Sequence, residues 1–169
     1  MDLIKATEKD LHLIYSEIEN SFIPDERRDF EGMRNVFENE DFTVYHLNEG
    51  GTNVGFITLW HFEDFEFAEH FAVYEPFRNK GYGSAALNVL KTSFKRLVLE
   101  AEPPTGEIQQ RRLAFYKRNG FTENEKEYMQ PAYRKGGKEV PLVIMSYPSR
   151  LESFDKSIRL IKRKVYSSE

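Results

Sequence analysis

The chain contains no cysteine among its 169 residues, which excludes disulfide bonds, thiolate nucleophiles and cysteine-based zinc sites. Long apolar runs are missing as well, since no segment approaches the roughly 20 consecutive apolar residues that a membrane-spanning helix needs. The segment from Met1 to Ile14 also lacks the apolar stretch and the small-residue cleavage site of a secretory signal. These absences predict a cytoplasmic protein with no membrane partner.

Positive charge is too scarce for a general nucleic-acid binder. The 24 Lys and Arg residues are outnumbered by 28 Asp and Glu residues, and the net charge is −4. Proteins that bind nucleic acid concentrate positive charge to displace phosphate counterions, so we expect no nucleic-acid partner. The histidines lack the spacing of a ligand pair such as His-Glu-x-x-His, and we predict no metal site. They are His12, His46, His61 and His70.

Apolar spacing predicts two helices and then a meander in the first half of the chain. Thr7 and Asp10 form a capping pattern before a helical stripe, and a second helix is expected from about Asp25, just after Pro24. Three strand-like runs follow, separated by gaps short enough for hairpins. They cover residues 42–47, 53–62 and 65–74.

Helix and strand patterns alternate in the second half. Ser149 and Glu152 make a capping box for a last, basic helix at 149–165. We expect a single α+β domain over residues 1–169, with its core at about 3–147. The remaining strands are predicted at 97–101, from Phe121 onward and at 140–148, with a helix at 107–119.

The segment Arg78-Asn79-Lys80-Gly81-Tyr82-Gly83 joins two cationic side chains and two glycines to the start of a helix near Ser84. Glycines let the main chain approach a ligand, and helix N-termini attract anions, so the segment predicts a pyrophosphate site. A plain surface turn is the alternative for an isolated Gly-x-Gly. Gly81-x-Gly83-x-x-Ala86, with Glu100 about 20 residues on, also matches a permissive dinucleotide fingerprint, but the antiparallel meander before it argues against that fold.

The same segment resembles the Arg/Gln-x-x-Gly-x-Gly/Ala signature of the GNAT superfamily of acetyl-CoA-dependent N-acetyltransferases. Residues 111–121, which contain Phe-Tyr-x-x-x-Gly-Phe, are similar to a second conserved stretch of that family. With the flanking elements, the resemblance covers roughly residues 3–147. It implies a three-layer α/β arrangement: a mixed, mostly antiparallel sheet, a V-shaped splay between its two central strands, helices on both faces and acetyl-CoA as co-substrate.

The resemblance also implies how the coenzyme is held. The main chain of the strand before the turn would pair with the pantetheine arm, and the amides of residues 79–84 would take the pyrophosphate. The Val73 N–H group would polarise the thioester carbonyl. The implied coenzyme-binding residues are Phe71, Ala72, Val73, Arg78, Asn79, Lys80, Gly81, Tyr82, Gly83 and Ser84.

Tyr116 is the predicted proton donor to the departing thiolate. It occupies the tyrosine position of the second stretch, where the resemblance implies a hydrogen bond to the coenzyme sulfur. The alternative is an amphipathic tyrosine that completes the core face of a helix.

Glu69 is the predicted general base. Strand alternation places it on one face with apolar neighbours, where partial burial would raise its pKa toward that of a base. In parts of the family a Glu or His at this position is the base, and His70 faces the opposite side. Alternatively, Glu69 only attracts a cationic acceptor. The apolar neighbours are Phe67, Phe71 and Val73.

The sequence thus predicts an acyltransferase that acts on a primary amine of a small molecule or peptide, by direct attack in a ternary complex. The alternative is a non-catalytic acyl-CoA binding or sensing domain. Residues 21–30 and 127–141 are expected to select the acceptor, with Phe22, Tyr128 and Tyr133 as candidate pocket walls. The last helix is either a solvated basic face or the docking face of a homodimer.

Overall fold

The computed structural model describes residues 1–167, so the last two residues of the predicted 1–169 domain lie outside the described residues. The strands are β1 (Asp2–Lys5), β2 (Phe42–Glu49), β3 (Thr52–His61), β4 (Glu66–Val73), β5 (Leu97–Ala101), β6 (Thr122–Gln130) and β7 (Val140–Tyr147). The α-helices are α1 (Leu11–Ser21), α2 (Phe30–Phe37), α3 (Tyr82–Ser93), α4 (Glu107–Arg118) and α5 (Phe154–Val165).

The strands form one sheet in the order β1-β2-β3-β4-β5-β7-β6. Neighbouring strands are antiparallel except β4 and β5, which run parallel. The β4–β5 pairing is short, because Glu66–Ala68 lie opposite Leu97–Leu99 and the pairing ends there. Both strands continue beyond that point, so they diverge. The predicted V-shaped splay in a mostly antiparallel sheet is confirmed.

Helices cover both faces of the sheet, as predicted. On one face, α1, α2 and α5 pack with the buried strand residues Trp60 and Phe67. On the other, α3 and α4 pack with Leu59 and Met145. Apolar burial contributes roughly 25 cal/mol per Å², so the two cores on either side of the sheet hold the layers together.

Two predicted helix starts are wrong. The second helix begins at Phe30 rather than near Asp25, because Pro24 opens only a short 3-10 turn and the Asp29 carboxylate caps α2 by accepting from the Gly32 N–H at 2.7 Å. The last helix begins at Phe154 rather than at 149. Residues before α5 are tied to β6 instead, where the Leu151 N–H donates to Asn124 Oδ1 at 2.9 Å.

The apolar stripe of α5 is buried within its own chain. Its residues Phe154, Ile158, Ile161 and Val165 belong to the core cluster on one face of the sheet, so burying this stripe does not require a second subunit. A homodimer stays a prediction without that support. None of the helices in residues 1–167 has the length and apolar character needed to span a bilayer.

Candidate active site

A cavity of about 810 Å³ lies between the diverging strands β4 and β5. Both predicted catalytic residues, Glu69 and Tyr116, line it. Lys80 does not, because its Nζ donates to the Pro76 carbonyl at 2.9 Å outside the cavity. The structure therefore brings together nine of the ten predicted coenzyme-binding residues. These nine are Phe71, Ala72, Val73, Arg78, Asn79, Gly81, Tyr82, Gly83 and Ser84.

The glycine turn enters α3 with its main chain open to the cavity. Gly81 caps the helix with φ +83°, a left-handed conformation that glycine adopts without strain. The first helical hydrogen bond runs from Ala85 N–H to the Gly81 carbonyl at 3.0 Å, so the earlier amides of the first turn are free of helical partners. Arg78 Nε donates to the Val73 carbonyl at 3.0 Å and ties the turn to β4. Free amides at a helix N-terminus, beside an arginine, suit an anionic group such as a diphosphate.

Close packing, rather than the backbone angles, favours glycine at position 83. A Cβ atom at this position would lie 3.1 Å from Cζ of Phe115 and 3.8 Å from Cγ2 of Val73. Phe115 and Val73 both line the cavity. A larger residue would therefore intrude between the turn and the cavity wall.

A β-bulge interrupts β4 next to the cavity. Thr58 of β3 lies opposite His70, but the next residue, Leu59, lies opposite Ala68. Glu69 is therefore an extra residue in β4, and strict alternation of side chains fails at this point. Bulges commonly re-aim side chains beside active sites, and here the bulge coincides with the end of the β4–β5 pairing.

The bulge makes one sequence prediction wrong. Phe67 packs in the core beneath α1 and α5, whereas Phe71 packs on the α3 side of the sheet. Phe67, Glu69, Phe71 and Val73 therefore do not share one face. His70 does not face away from Glu69 either, because its Nδ1 lies 3.9 Å from Glu69 Oε2.

The Glu69 side chain is fully buried and forms a salt bridge with Arg28. Trp60 Nε1 donates to Glu69 Oε2 at 2.9 Å, and the Tyr133 hydroxyl donates to Oε1 at 2.8 Å. Burial is the largest single influence and raises the pKa of Glu69. The charges of Arg28 and His70 and the hydrogen bonds from Trp60 and Arg28 together outweigh burial and hold that pKa below its usual value. The expectation that burial would raise this pKa toward that of a base is wrong. A catalytic role for Glu69 stays a prediction.

Glu100 is a candidate that the sequence interpretation missed, since it entered there only as the acid of a dinucleotide fingerprint. It lies on β5, borders the cavity and is enclosed by protein on its other sides. The hydroxyls of Tyr128 and Tyr166 each donate to one of its carboxylate oxygens. Burial raises the pKa of Glu100 to about 7, while these two hydrogen bonds oppose the rise. The available signal was a lone charged residue within the apolar strand Leu97–Ala101.

Tyr116 lies on the buried face of α4 with 7% of its surface exposed, and it lines the cavity. Its ring packs edge-on against Phe115 and Phe121. Burial raises the pKa of Tyr116 to about 12, so its hydroxyl stays protonated at neutral pH. The side chain can therefore donate a proton or a hydrogen bond into the cavity.

The segment between α1 and α2 is held against both sides of the cavity. Its Glu26 carbonyl lies 3.2 Å from Nε2 of His70 on β4, and its Asp25 carbonyl accepts from Gln130 of β6 at 3.0 Å. Phe22 and Glu26 of this segment line the cavity. Burial raises the pKa of Glu26, with a further contribution from the charge of Glu102.

Of the aromatic residues predicted to wall an acceptor pocket, Phe22 lines the cavity. Tyr128 and Tyr133 instead use their hydroxyls in the buried network around Glu100 and Glu69. Within residues 1–167, no three His, Asp or Glu side chains are grouped in a way that could hold a metal ion.

Comparisons with known proteins agree with this geometry. Residues 38–123 match the family model for the acetyltransferase (GNAT) domain. The structure superposes with a TM-score of 0.93 on a Bacteroides thetaiotaomicron protein assigned to the GNAT acetyltransferases, with 31% identity over 100% of both chains. No curated protein matches the sequence.

More distant solved structures share the fold alone. The ribosomal-protein-S18-alanine N-acetyltransferase from Escherichia coli is 20% identical, with a TM-score of 0.61 over 89% of this chain and 95% of that one. NAA60 from Arabidopsis thaliana, solved in complex with acetyl-CoA, is 14% identical, with a TM-score of 0.65 over 86% of this chain and 97% of that one.

Proposed function

Because the chain belongs to the GNAT family of acetyltransferases, we propose that it transfers the acetyl group of acetyl-CoA to a primary amine of a small molecule or a peptide. The attack is direct, in a ternary complex of enzyme, acetyl-CoA and amine. The absence of cysteine fits direct transfer, since no thiolate is available to carry the acetyl group. The predicted cytoplasmic location stays a prediction.

The observation that carries the proposal is the composition of the cavity between β4 and β5. It joins the open amides of the glycine turn, the main chain of Phe71–Val73 and the two ionisable side chains of Glu100 and Tyr116. An anion site and two proton-transfer groups in one cavity are what acetyl transfer to an amine requires.

The coenzyme-holding groups follow from this arrangement. Amides of the turn and the first turn of α3 would hold a diphosphate, and β4 beyond Ala68 has no β5 partner, so it would pair with an amide-bearing arm. When bound, acetyl-CoA supplies a thioester whose carbonyl carbon accepts the amine. The NAA60 complex with acetyl-CoA supports this use of the fold.

We assign the base role to Glu100 in preference to Glu69. A base should have a pKa near the working pH, and that of Glu100 is raised to about 7, whereas that of Glu69 is lowered by Arg28. Glu100 would remove a proton from the ammonium form of the acceptor, directly or through one water. If Glu69 is the base, the acidic limb of the pH–rate profile will disappear in Glu69→Gln and remain in Glu100→Gln.

Tyr116 would return a proton to the departing thiolate. Its pKa of about 12 keeps the hydroxyl protonated, and a thiol is the stronger acid. The hydroxyl therefore stabilises the developing thiolate by hydrogen bonding. The proton that it passes to sulfur is replaced, through solvent, by the proton that the attacking nitrogen loses when the C–N bond forms and the C–S bond breaks. Removing this donor should slow the chemical step and leave coenzyme affinity intact.

The carboxylates at the cavity favour a cationic acceptor. Glu26, Glu100 and Glu102 line it, and Arg112 forms a salt bridge with Glu102. Arg78, Arg111 and Arg118 line the cavity as well, so the attraction for an ammonium group would be local to Glu26 and Glu100, whose charges interact with each other. The test is acetyl-CoA-dependent thiol release with a panel of primary amines, with mass spectrometry of the products. Saturable coenzyme binding without amine-dependent thiol release would favour the alternative of a non-catalytic acyl-CoA sensor.

A further inference from the structure

Glu100 takes its hydrogen bonds from two different parts of the fold. The Tyr128 hydroxyl on β6 donates to Oε1, and the Tyr166 hydroxyl donates to Oε2 at 2.6 Å. Tyr166 is the residue that follows α5, so it belongs to the C-terminal segment beyond the core sheet. One oxygen of the Glu100 carboxylate is therefore held by the last helical segment of the chain.

Tyr166 is fixed in place by its surroundings. It is 7% exposed and packs against Tyr133, with ring centroids 4.9 Å apart. The residue before it, Val165, is 4% exposed, and its carbonyl accepts a hydrogen bond from the Arg28 guanidinium. The end of α5 is thereby joined to the Arg28–Glu69 salt bridge on the other side of the network. A side chain held this firmly can fix the position of the carboxylate that it contacts.

We propose that Tyr166 is a positioning residue, through which the C-terminal helix α5 orients the Glu100 carboxylate in the cavity and stabilises its ionised form. The proposal rests on the proposed function for its catalytic consequence. The hydrogen bond between Tyr166 and Glu100 does not depend on the proposed function, because it follows from the positions of the two side chains. The helix α5 would then contribute to the active site by holding the Glu100 carboxylate through Tyr166.

Several charged or titratable groups face Glu100 from the surrounding elements. Tyr128 and Tyr166 donate to it, and burial has the largest effect on its proton affinity. Glu69 on β4 and Glu26 between α1 and α2 add negative charge that favours the protonated form. The two hydroxyls are therefore the groups that favour the ionised form a base needs.

Removing one of these hydroxyls should make Glu100 harder to ionise. A hydrogen bond to a charged group typically changes the pKa by about one unit, so Tyr166→Phe should raise the Glu100 titration midpoint by about one pH unit. Tyr128→Phe should act in the same direction. Tyr74→Phe is the matched control, because it removes a hydroxyl from the same core that interacts with Asn53 rather than Glu100.

The midpoint can be measured directly by NMR on protein with ¹³C-labelled glutamate carboxyl groups, with Glu100→Gln identifying the signal. The proposal expects an upward shift in Tyr166→Phe and none in Tyr74→Phe. An unchanged midpoint in folded Tyr166→Phe overturns it. Should that variant not fold, the sequentially assigned ¹³Cζ resonance of Tyr166 in the unsubstituted protein decides. The chemical shift of this resonance should change with pH at the same midpoint as Glu100. A chemical shift that does not change at that midpoint overturns the proposal.

The pH dependence of kcat/KM separates this inference from the proposed function. If both hold, the acidic limb moves upward in Tyr166→Phe together with the NMR midpoint, and activity recovers at higher pH. An NMR shift with no movement of the limb means that Tyr166 positions Glu100 but Glu100 is not the base. A third outcome is that the acidic limb vanishes in Glu100→Gln but the NMR midpoint is unchanged in Tyr166→Phe. That outcome refutes the role of Tyr166 and leaves Glu100 as the base.

Discussion

Arg28 and Glu69, 41 positions apart in the chain, form a salt bridge whose two side chains are 8% and 0% exposed. Removing one partner would leave an uncompensated buried charge. We expect Arg28→Met and Glu69→Gln each to lower the free energy of unfolding by about 3–5 kcal/mol, measured by urea denaturation. The double variant Arg28→Met/Glu69→Gln should be less destabilised than the sum of these two single variants. Strict additivity would contradict a direct interaction.

Tyr116→Phe tests the proton donor. The substitution removes one hydroxyl from the cavity, and loss of general acid catalysis should lower kcat by about 100-fold or more. The dissociation constant for CoA, measured by calorimetry, should change by less than about twofold because the ring remains. Tyr147→Phe is the control, since Tyr147 packs in the same core against Phe121 but does not line the cavity. Equal rates for wild type and Tyr116→Phe would remove Tyr116 from the mechanism.

Gly81→Val tests the anion site. The substitution forces a branched side chain into a left-handed conformation and should cost about 1–2 kcal/mol of stability. Gly136 offers a matched control, because its φ of +81° and its open surroundings resemble those of Gly81, but it lies outside the cavity. Both variants should lose similar stability, and only Gly81→Val should lose CoA affinity, by at least about tenfold. Equal affinities in the two variants would exclude the glycine turn from coenzyme binding.

The raised pKa of Glu100 has a consequence for stability. The carboxyl is protonated in both folded and unfolded chains below its ordinary pKa of 4.5, and only the folded chain keeps the proton up to about pH 7. Its favourable contribution is therefore fully present below pH 4.5 and is lost as the pH rises through 7. The unfolding free energy of wild type minus that of Glu100→Gln should fall by about 3 kcal/mol between pH 4.5 and 8. Taking the difference between variants cancels the opposing titration of His70, whose pKa burial lowers. A flat difference would contradict the burial of Glu100.

The fold was largely predictable because its strands and helices carry strong apolar patterns. The strand at 97–101 and the three meander strands were located within two residues at either end. The starts of α2 and α5 were not located correctly. The sequences around Pro24 and Ser149 have the local pattern of a helix start, but in the folded chain α2 begins at Phe30 and α5 at Phe154, and Leu151 is hydrogen-bonded to Asn124 of β6.

The coenzyme side of the cavity was predictable for a different reason: the residues of the glycine turn are contiguous in the sequence. The proton-transfer groups were harder. The bulge at Glu69 depends on the register between β3 and β4, and the partner Arg28 comes from a distant segment. Glu100 acquires its properties from Tyr128 and Tyr166, which no local pattern connects to β5.

The most direct test of the central claim is the rate of thiol release from acetyl-CoA with a primary amine, measured from pH 5.5 to 9 for wild type and Glu100→Gln. We predict amine-dependent turnover in the wild type, with an acidic limb of kcat/KM near pH 7, and loss of that limb together with most of the activity in Glu100→Gln. Thiol release that no primary amine accelerates in the wild type would contradict the proposed acetyl transfer, and an unchanged limb in Glu100→Gln would contradict the assigned base.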